Sequence, residues 1–222
     1  MIDFERARLK MVESQLRTED VTDYDLIEAM GAVARERFVP ERRRPLAYVD
    51  EDLLLTEPGV APPRHLMRAA AFARLVQVLE LAPSDKVLDV GCGAGYSAAV
   101  LARLAGSVVA LESDEGLAAE ARRALAEAGG AGATVVTGPL AAGWPREAPF
   151  NAIILEGAVE TVPPALLAQL SEGGRLVAIV GLGRSASATI YTRTEQEIGS
   201  RTAFSAAAMV LPGFEMPKAF VF

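Results

Sequence analysis

The run Val87-Leu88-Asp89-Val90-Gly91-Cys92-Gly93-Ala94-Gly95-Tyr96 puts a carboxylate near the end of a short apolar stretch and follows it with glycines at alternate positions. A glycine turn between a strand and a helix lets a ligand approach the backbone and points helix N–H groups at it. In open α/β sheets such ligands sit beyond the carboxyl ends of the strands. The dinucleotide fingerprint is G-x-G-x-x-G, whereas the glycines here run G-x-G-x-G, so the third falls one residue early. A carboxylate at Asp89 suits a ligand with a cationic end, such as the ammonium and sulfonium of S-adenosylmethionine (SAM). It suits a pyrophosphate poorly. Glu112 closes the next apolar run and can accept both ribose hydroxyl protons. Both cofactor classes use such a residue, so it does not separate them. Cys92 reads by itself as a small buried residue.

These residues need strands to hold them, and the hydrophobic pattern supplies strands. Residues 86–90, 107–112, 133–137, 150–155 and 175–180 read as short apolar strands. Between them, 96–105, 114–128 and 163–170 read as helices, and 66–81 as a helix with Phe72, Leu75, Val76 and Leu79 buried. Strands alternating with helices predict a parallel sheet covered on both faces. The tail differs: 188–193 and 207–211 read as strands about a turn near Gly199, an antiparallel ending. Residues 4–36 read as two helices, the second capped by Asp23. Prolines at 58, 62 and 63 make 46–65 a loop with room for a short strand. The expectation is one domain over 1–222: helices and a substrate loop over 1–65, then an α/β core over 66–222.

The composition is 51% hydrophobic with a mean hydropathy of +0.24, enough for a full core. No stretch reaches the length of a membrane span, and the opening residues lack a secretory pattern. The net charge of −7 argues against a phosphate-tracking surface, and Arg42-Arg43-Arg44 reads as a solvated turn. The lone Cys92 and lone His65 exclude an internal disulfide and leave little for zinc. A cytoplasmic protein with no metal, no nucleic acid and no membrane partner is expected.

With these residues in place, the chain resembles the protein-L-isoaspartate O-methyltransferase family nearly end to end. Met11-Val12-Glu13-Ser14-Gln15-Leu16-Arg17 resembles its opening helix. Glu28-Ala29-Met30, Arg37-Phe38-Val39-Pro40 and Ala47-Tyr48-Val49-Asp50-Glu51 resemble its next landmarks, which generic methyltransferases lack. Residues 95–102, 148–154 and 169–177 resemble its glycine-loop helix and its fourth and fifth strands. The resemblance implies a doubly wound, mostly parallel, seven-stranded Rossmann-like methyltransferase sheet with an antiparallel C-terminal strand and an N-terminal helical segment. It implies SAM as cofactor, and methylation of isoaspartyl carboxylates in damaged protein. Asp89, Gly91, Gly93, Gly95 and Glu112 carry over as cofactor contacts, and Cys92, Ser113, Pro139 and Leu140 are expected to complete that site.

The chain departs from the family pattern at the acceptor. The family's Thr-Ile-Ser-Gln-Pro serine falls on Ala61 by local pattern, or on Met67 when counted back from Val87-Leu88. Neither side chain donates a hydrogen bond. The family's Gly-Asp-Gly reads Gly138-Pro139-Leu140. Glu156 stands where the family often has Thr. It would repel a carboxylate, could orient or deprotonate an amine or hydroxyl, or could merely cap a helix or meet an arginine. Thr56 as the nearest hydroxyl, and His65 as a base, complete the candidate catalytic set. Trp144 could floor the adenine pocket or cover the sheet edge. The acceptor is thus a protein or peptide carboxylate, or else a different amine or hydroxyl, small molecules included; a SAM-binding role without turnover is the third reading.

Overall fold

Capping and apolar spacing set the elements in the computed structural model, which describes residues 2–60, 62–129, 132–195 and 197–214. Asp3 accepts from the Arg6 amide at 3.0 Å and starts α1, Phe4–Met11, which runs on through a wider turn, Val12–Leu16. Asp23 accepts from the Leu26 amide at 3.1 Å and starts α2, Tyr24–Ala32, as its type predicts. After two short 3₁₀ segments, β1 (Leu53–Leu54) pairs antiparallel with β2 (His65–Leu66), forming a small ribbon. Then come α3 (Ala69–Leu79), β3 (Lys86–Val90), α4 (Tyr96–Leu101), β4 (Ser107–Glu112), α5 (Glu115–Glu127) and β5 (Ala133–Thr137). The chain closes with β6 (Phe150–Val159), α6 (Pro164–Leu167), β7 (Leu170–Val180), β8 (Ser187–Arg193) and β9 (Ile198–Ser205).

The main sheet has the order β5-β4-β3-β6-β7-β8-β9. Strands β3 to β7 are parallel, and β8 runs antiparallel to both β7 and β9. The seven-stranded, mostly parallel Rossmann-like sheet with an antiparallel C-terminal strand is therefore present. The order reverses at β3, with β4 on one side and β6 on the other, and this opens a crevice at their carboxyl ends. One apolar layer packs β3 against α1 to α4 through Val87, Phe72, Leu75 and Tyr96; the other packs Leu88, Val109, Ile153 and Leu176 on the opposite face. Both faces are covered, so the strands read as unbroken apolar runs rather than as alternation.

Several boundaries differ from the expectation, β7 starting at Leu170 rather than 175 and α4 ending at Leu101 rather than 105, and two differences bear on the site. The last strand is Ile198–Ser205, not 207–211, because the Thr194 amide donates to the Glu197 carbonyl at 2.8 Å and the hairpin closes early. Arg201 and Thr202 make that strand polar, which suits an exposed edge but hides it from an apolar count. The 206–211 stretch instead turns back to β6, where the Ala158 amide donates to the Met209 carbonyl and the Leu211 amide to the Ala158 carbonyl, each at 2.9 Å. The second difference lies in β6. It continues to Val159, and its register against β7 slips between Ile154 and Ala158. Bulges of this kind re-aim side chains, and Glu156 lies inside this one. Among the described residues no helix is long and apolar enough to cross a membrane.

Candidate cofactor and acceptor site

The turn after β3 is held by the Gly91 and Cys92 amides, which donate to the Leu111 carbonyl at 2.8 and 3.2 Å. Gly93 has φ +55°, and a Cβ there would lie 2.6 Å from Leu55 Cδ1. Gly95 has φ +95° and starts α4; a Cβ there would press on Ala121 at 3.1 Å. Only glycine meets both demands, the left-handed backbone and the close approach.

Glu112 is fully buried at the end of β4. Its carboxylate accepts from the backbone amides of Gly93 at 2.8 Å, Ser113 at 2.8 Å and Asp114 at 3.1 Å. Arg64 adds two more bonds, Nη2 at 2.7 Å and Nε at 3.2 Å. Burial alone would raise the Glu112 pKa, but the guanidinium charge and these hydrogen bonds hold it below the usual carboxylate range. Glu112 is thus ionised, and Arg64 lies on the carboxylate expected to serve the ribose.

Asp89 is also fully buried. Ser97 Oγ donates to its Oδ2 at 2.6 Å, whereas Oδ1 has no partner among the described residues. Burial, and then the Glu112 charge, push Asp89 up to about 7 against the Ser97 bond and Arg64. Glu156, in the β6 bulge, has an unpartnered Oε1. Burial and then the Asp89 charge push its pKa well above the usual range, which favours the protonated form. A protonated carboxyl can donate a hydrogen bond and has no charge with which to repel an anion.

Two cavities flank Arg64. One of about 370 Å³ is lined by Arg64, Ser113, Asp114, Pro139 and Leu140. The other, of about 10 Å³, is lined by Arg64, His65, Met67 and Glu156. Thr56 is buried, and its hydroxyl accepts from the Arg64 amide at 3.3 Å, so it anchors the ribbon. His65 is half-buried in β2, and burial lowers its pKa, leaving a neutral imidazole near pH 7. Cys92 is buried with its thiol pushed well up by burial, which makes it unreactive. Trp144 packs on Gly138 in the second apolar layer. Met67 ends the ribbon just before α3, and its carbonyl accepts from Arg35 Nη2 at 2.6 Å. Ala61, the other candidate for the serine position, lies outside the described residues.

The donor set fits SAM. Asp89 presents a free oxygen suited to a cationic end, Glu112 is an ionised acceptor suited to hydroxyl donors once Arg64 yields it, and the larger cavity beside Ser113 and Leu140 offers apolar walls suited to a purine. Sequence reasoning missed Arg64, Leu55 and Leu211, the last of which packs over the turn. The one available signal was a cation inside the proline loop, and its partner lies 48 residues away.

The sequence profile of the protein-L-isoaspartate(D-aspartate) O-methyltransferase family matches residues 7–211. The chain belongs to that family. It is an S-adenosylmethionine-dependent methyltransferase. Family membership extends to curated relatives. Protein-L-isoaspartate O-methyltransferase 2 of Anaeromyxobacter sp. (strain Fw109-5) is 42% identical over 173 residues, which are 78% of this chain and 69% of the relative. The Methylorubrum populi enzyme is 41% identical over 175 residues, 79% and 80% of the two chains. Among solved structures, a protein-L-isoaspartate O-methyltransferase superposes with a TM-score of 0.79 at 23% identity, over 93% of this chain and 66% of that one. A Plasmodium falciparum family member, solved with S-adenosyl-L-homocysteine, gives 0.74 at 19% identity over 91% and 96%. At such identities the structures speak for the fold alone.

Proposed function

We propose that this chain methylates the side-chain carboxylate of isoaspartyl residues in proteins, and so serves protein repair in the cytoplasm. The observation that carries this reading is the extent of the family match. It begins at residue 7 and so includes the N-terminal helices and ribbon that wall the acceptor side, not only the cofactor fold. The cytoplasmic setting rests on Cys92, the one cysteine, held free and buried.

Bound SAM supplies a methyl on sulfonium: the C–S bond breaks as the O–C bond to the acceptor forms, giving a methyl ester and S-adenosylhomocysteine. An ionised carboxylate is already the nucleophile, so no base is required. The chain's part is to align and to exclude water. Gly91, Gly93 and Gly95 bring the backbone close. Asp89 Oδ1 would take the ammonium of the cofactor, Glu112 its ribose hydroxyls, and Ser113, Pro139 and Leu140 would border its adenine. Leu55 and Leu211 close over the turn and keep water out. Protonated Glu156 offers a hydrogen bond where an ionised residue would repel the acceptor.

A second reading, an amine or hydroxyl acceptor, draws on Met67 at the ribbon end, which provides no side-chain donor. Its cost is that a protonated Glu156 is no base. The test is S-adenosylhomocysteine release with an isoaspartyl peptide, an aspartyl peptide serving as control. Turnover confined to the isoaspartyl peptide supports the first reading. Equal or absent turnover, with SAM bound by calorimetry, refutes it.

A further inference from the structure

The position of Arg64 poses a problem of occupancy. Its side chain is 3% exposed and grips Glu112 with two hydrogen bonds, while Nη2 also donates to the Gly91 carbonyl at 3.0 Å. A carboxylate that serves a ribose cannot keep that bidentate grip, so cofactor binding must move the guanidinium. Its backbone stays: Thr56 Oγ1 and the Leu55 amide, the latter bonding the Arg64 carbonyl at 2.7 Å, fix it to the ribbon. The side chain therefore pivots about a fixed Cα.

Once moved, a buried guanidinium without a partner is costly and draws in an anion. On the side away from the adenine cavity, Arg64 lines a void of about 10 Å³ beside Asp52, His65, Met67 and Glu156, room for one water in the cofactor-free protein, so an acceptor must widen it to enter. Met67, one of the two candidates for the family's serine position, lines it and cannot donate, and Glu156 has an oxygen without a partner. An acceptor carboxylate admitted there meets the carboxyl groups of Asp52 and Glu156 in the lining, so it needs a cation. Arg35, the other buried arginine of this region, spends Nε on the Ala47 carbonyl and Nη2 on the Met67 carbonyl and lies over the Tyr96 ring, so only Nη1 lacks a partner and it has no free fork to offer.

We propose that Arg64 is the specificity residue for the acceptor: it rests on Glu112 in the cofactor-free protein, yields that carboxylate to the ribose, and then holds the acceptor carboxylate by its planar fork. This rests on the function proposed above. It couples the two sites, because each ligand favours the same position of one side chain. Cofactor binds first and acceptor second. The fork geometry also prefers a carboxylate to an amine, which would be repelled.

The test uses Arg64→Gln and Arg64→Lys in the full chain. Calorimetry reads S-adenosylhomocysteine affinity, and fluorescence anisotropy reads a labelled isoaspartyl peptide on the S-adenosylhomocysteine-loaded protein. Removing the competitor raises the binding-competent fraction, so Arg64→Gln should bind S-adenosylhomocysteine on the order of tenfold more tightly. The same variant should bind the peptide at least about tenfold more weakly. Arg64→Lys keeps charge without the fork and should fall between on both. Unchanged or weakened S-adenosylhomocysteine binding in Arg64→Gln overturns the resting position as a competing one. Unchanged peptide binding overturns the acceptor role. If wild-type protein gives no turnover with the peptide, the proposed function fails; the calorimetry still decides the competition, and loss of peptide binding in the wild type removes the acceptor role with it. Should Arg64→Gln not fold, Arg64→Lys carries both comparisons.

Discussion

Glu112→Gln tests the centre of the site, and its effect can be worked out from the contacts. The carboxylate accepts three backbone amides and two bonds from Arg64, with both side chains nearly inaccessible. An amide has one oxygen and no charge, and its NH₂ faces donors. Arg64 is left buried without an anion, and breaking one side of a buried pair costs about 3–5 kcal/mol. Unfolding in urea should show a loss of that size. The ribose loses one charged acceptor, worth about 2 kcal/mol, or roughly a 30-fold weaker Kd for S-adenosylhomocysteine by calorimetry. The double variant with Arg64→Gln leaves no orphan charge, so it should recover part of the stability loss, with a coupling on the order of 2 kcal/mol. The reasoning is refuted if Glu112→Gln unfolds within about 0.5 kcal/mol of wild type and binds S-adenosylhomocysteine within twofold, or if the double variant is simply additive.

Gly93→Ala forces a side chain onto φ +55° and into Leu55 at 2.6 Å; it should cost about 1–3 kcal/mol in urea unfolding and abolish calorimetric binding, and normal binding would refute the close-approach account. Glu156→Gln probes pH dependence. Burial raises the folded pKa of Glu156, so its proton stabilises the fold at low pH and that contribution is lost as pH rises through the folded value. The variant should therefore match wild type near pH 5 and gain on it toward pH 8, whereas a gap constant with pH would sink the assignment. Asp89→Asn should behave likewise, the wild type weakening as pH passes about 7, yet it should lose cofactor affinity because the ammonium loses its anion. Leu88→Ala, fully buried in β3, should cost about 2–5 kcal/mol in unfolding free energy without shifting the pH profile.

Much of this was readable in the chain. Parallel strands buried on both faces must be continuous apolar runs, so β3 and β4 fall where their residues put them, and Asp89 and Glu112 stand beside the turn by chain order alone. Arg64 was not readable, because its pairing with Glu112 joins a proline-rich ribbon to a distant strand end and depends on three-dimensional packing. The raised pKa of Glu156 was hidden for a related reason: it follows from burial at the β6 bulge rather than from residue type. β9 escaped because an exposed edge carries polar residues on both faces, leaving no apolar period to find.

The crossing of Leu211 over the turn bears on how the protein matures. During synthesis the β3 turn leaves the ribosome long before β6 can pair beside it, and longer still before Leu211 reaches Ala158. A nascent chain therefore carries the glycine turn without its walls. A ligand that binds only the finished crevice stabilises only the finished chain. SAM thus cannot chaperone this fold as it emerges, and the cellular supply of SAM should set the stability of the released protein, not its yield from the ribosome.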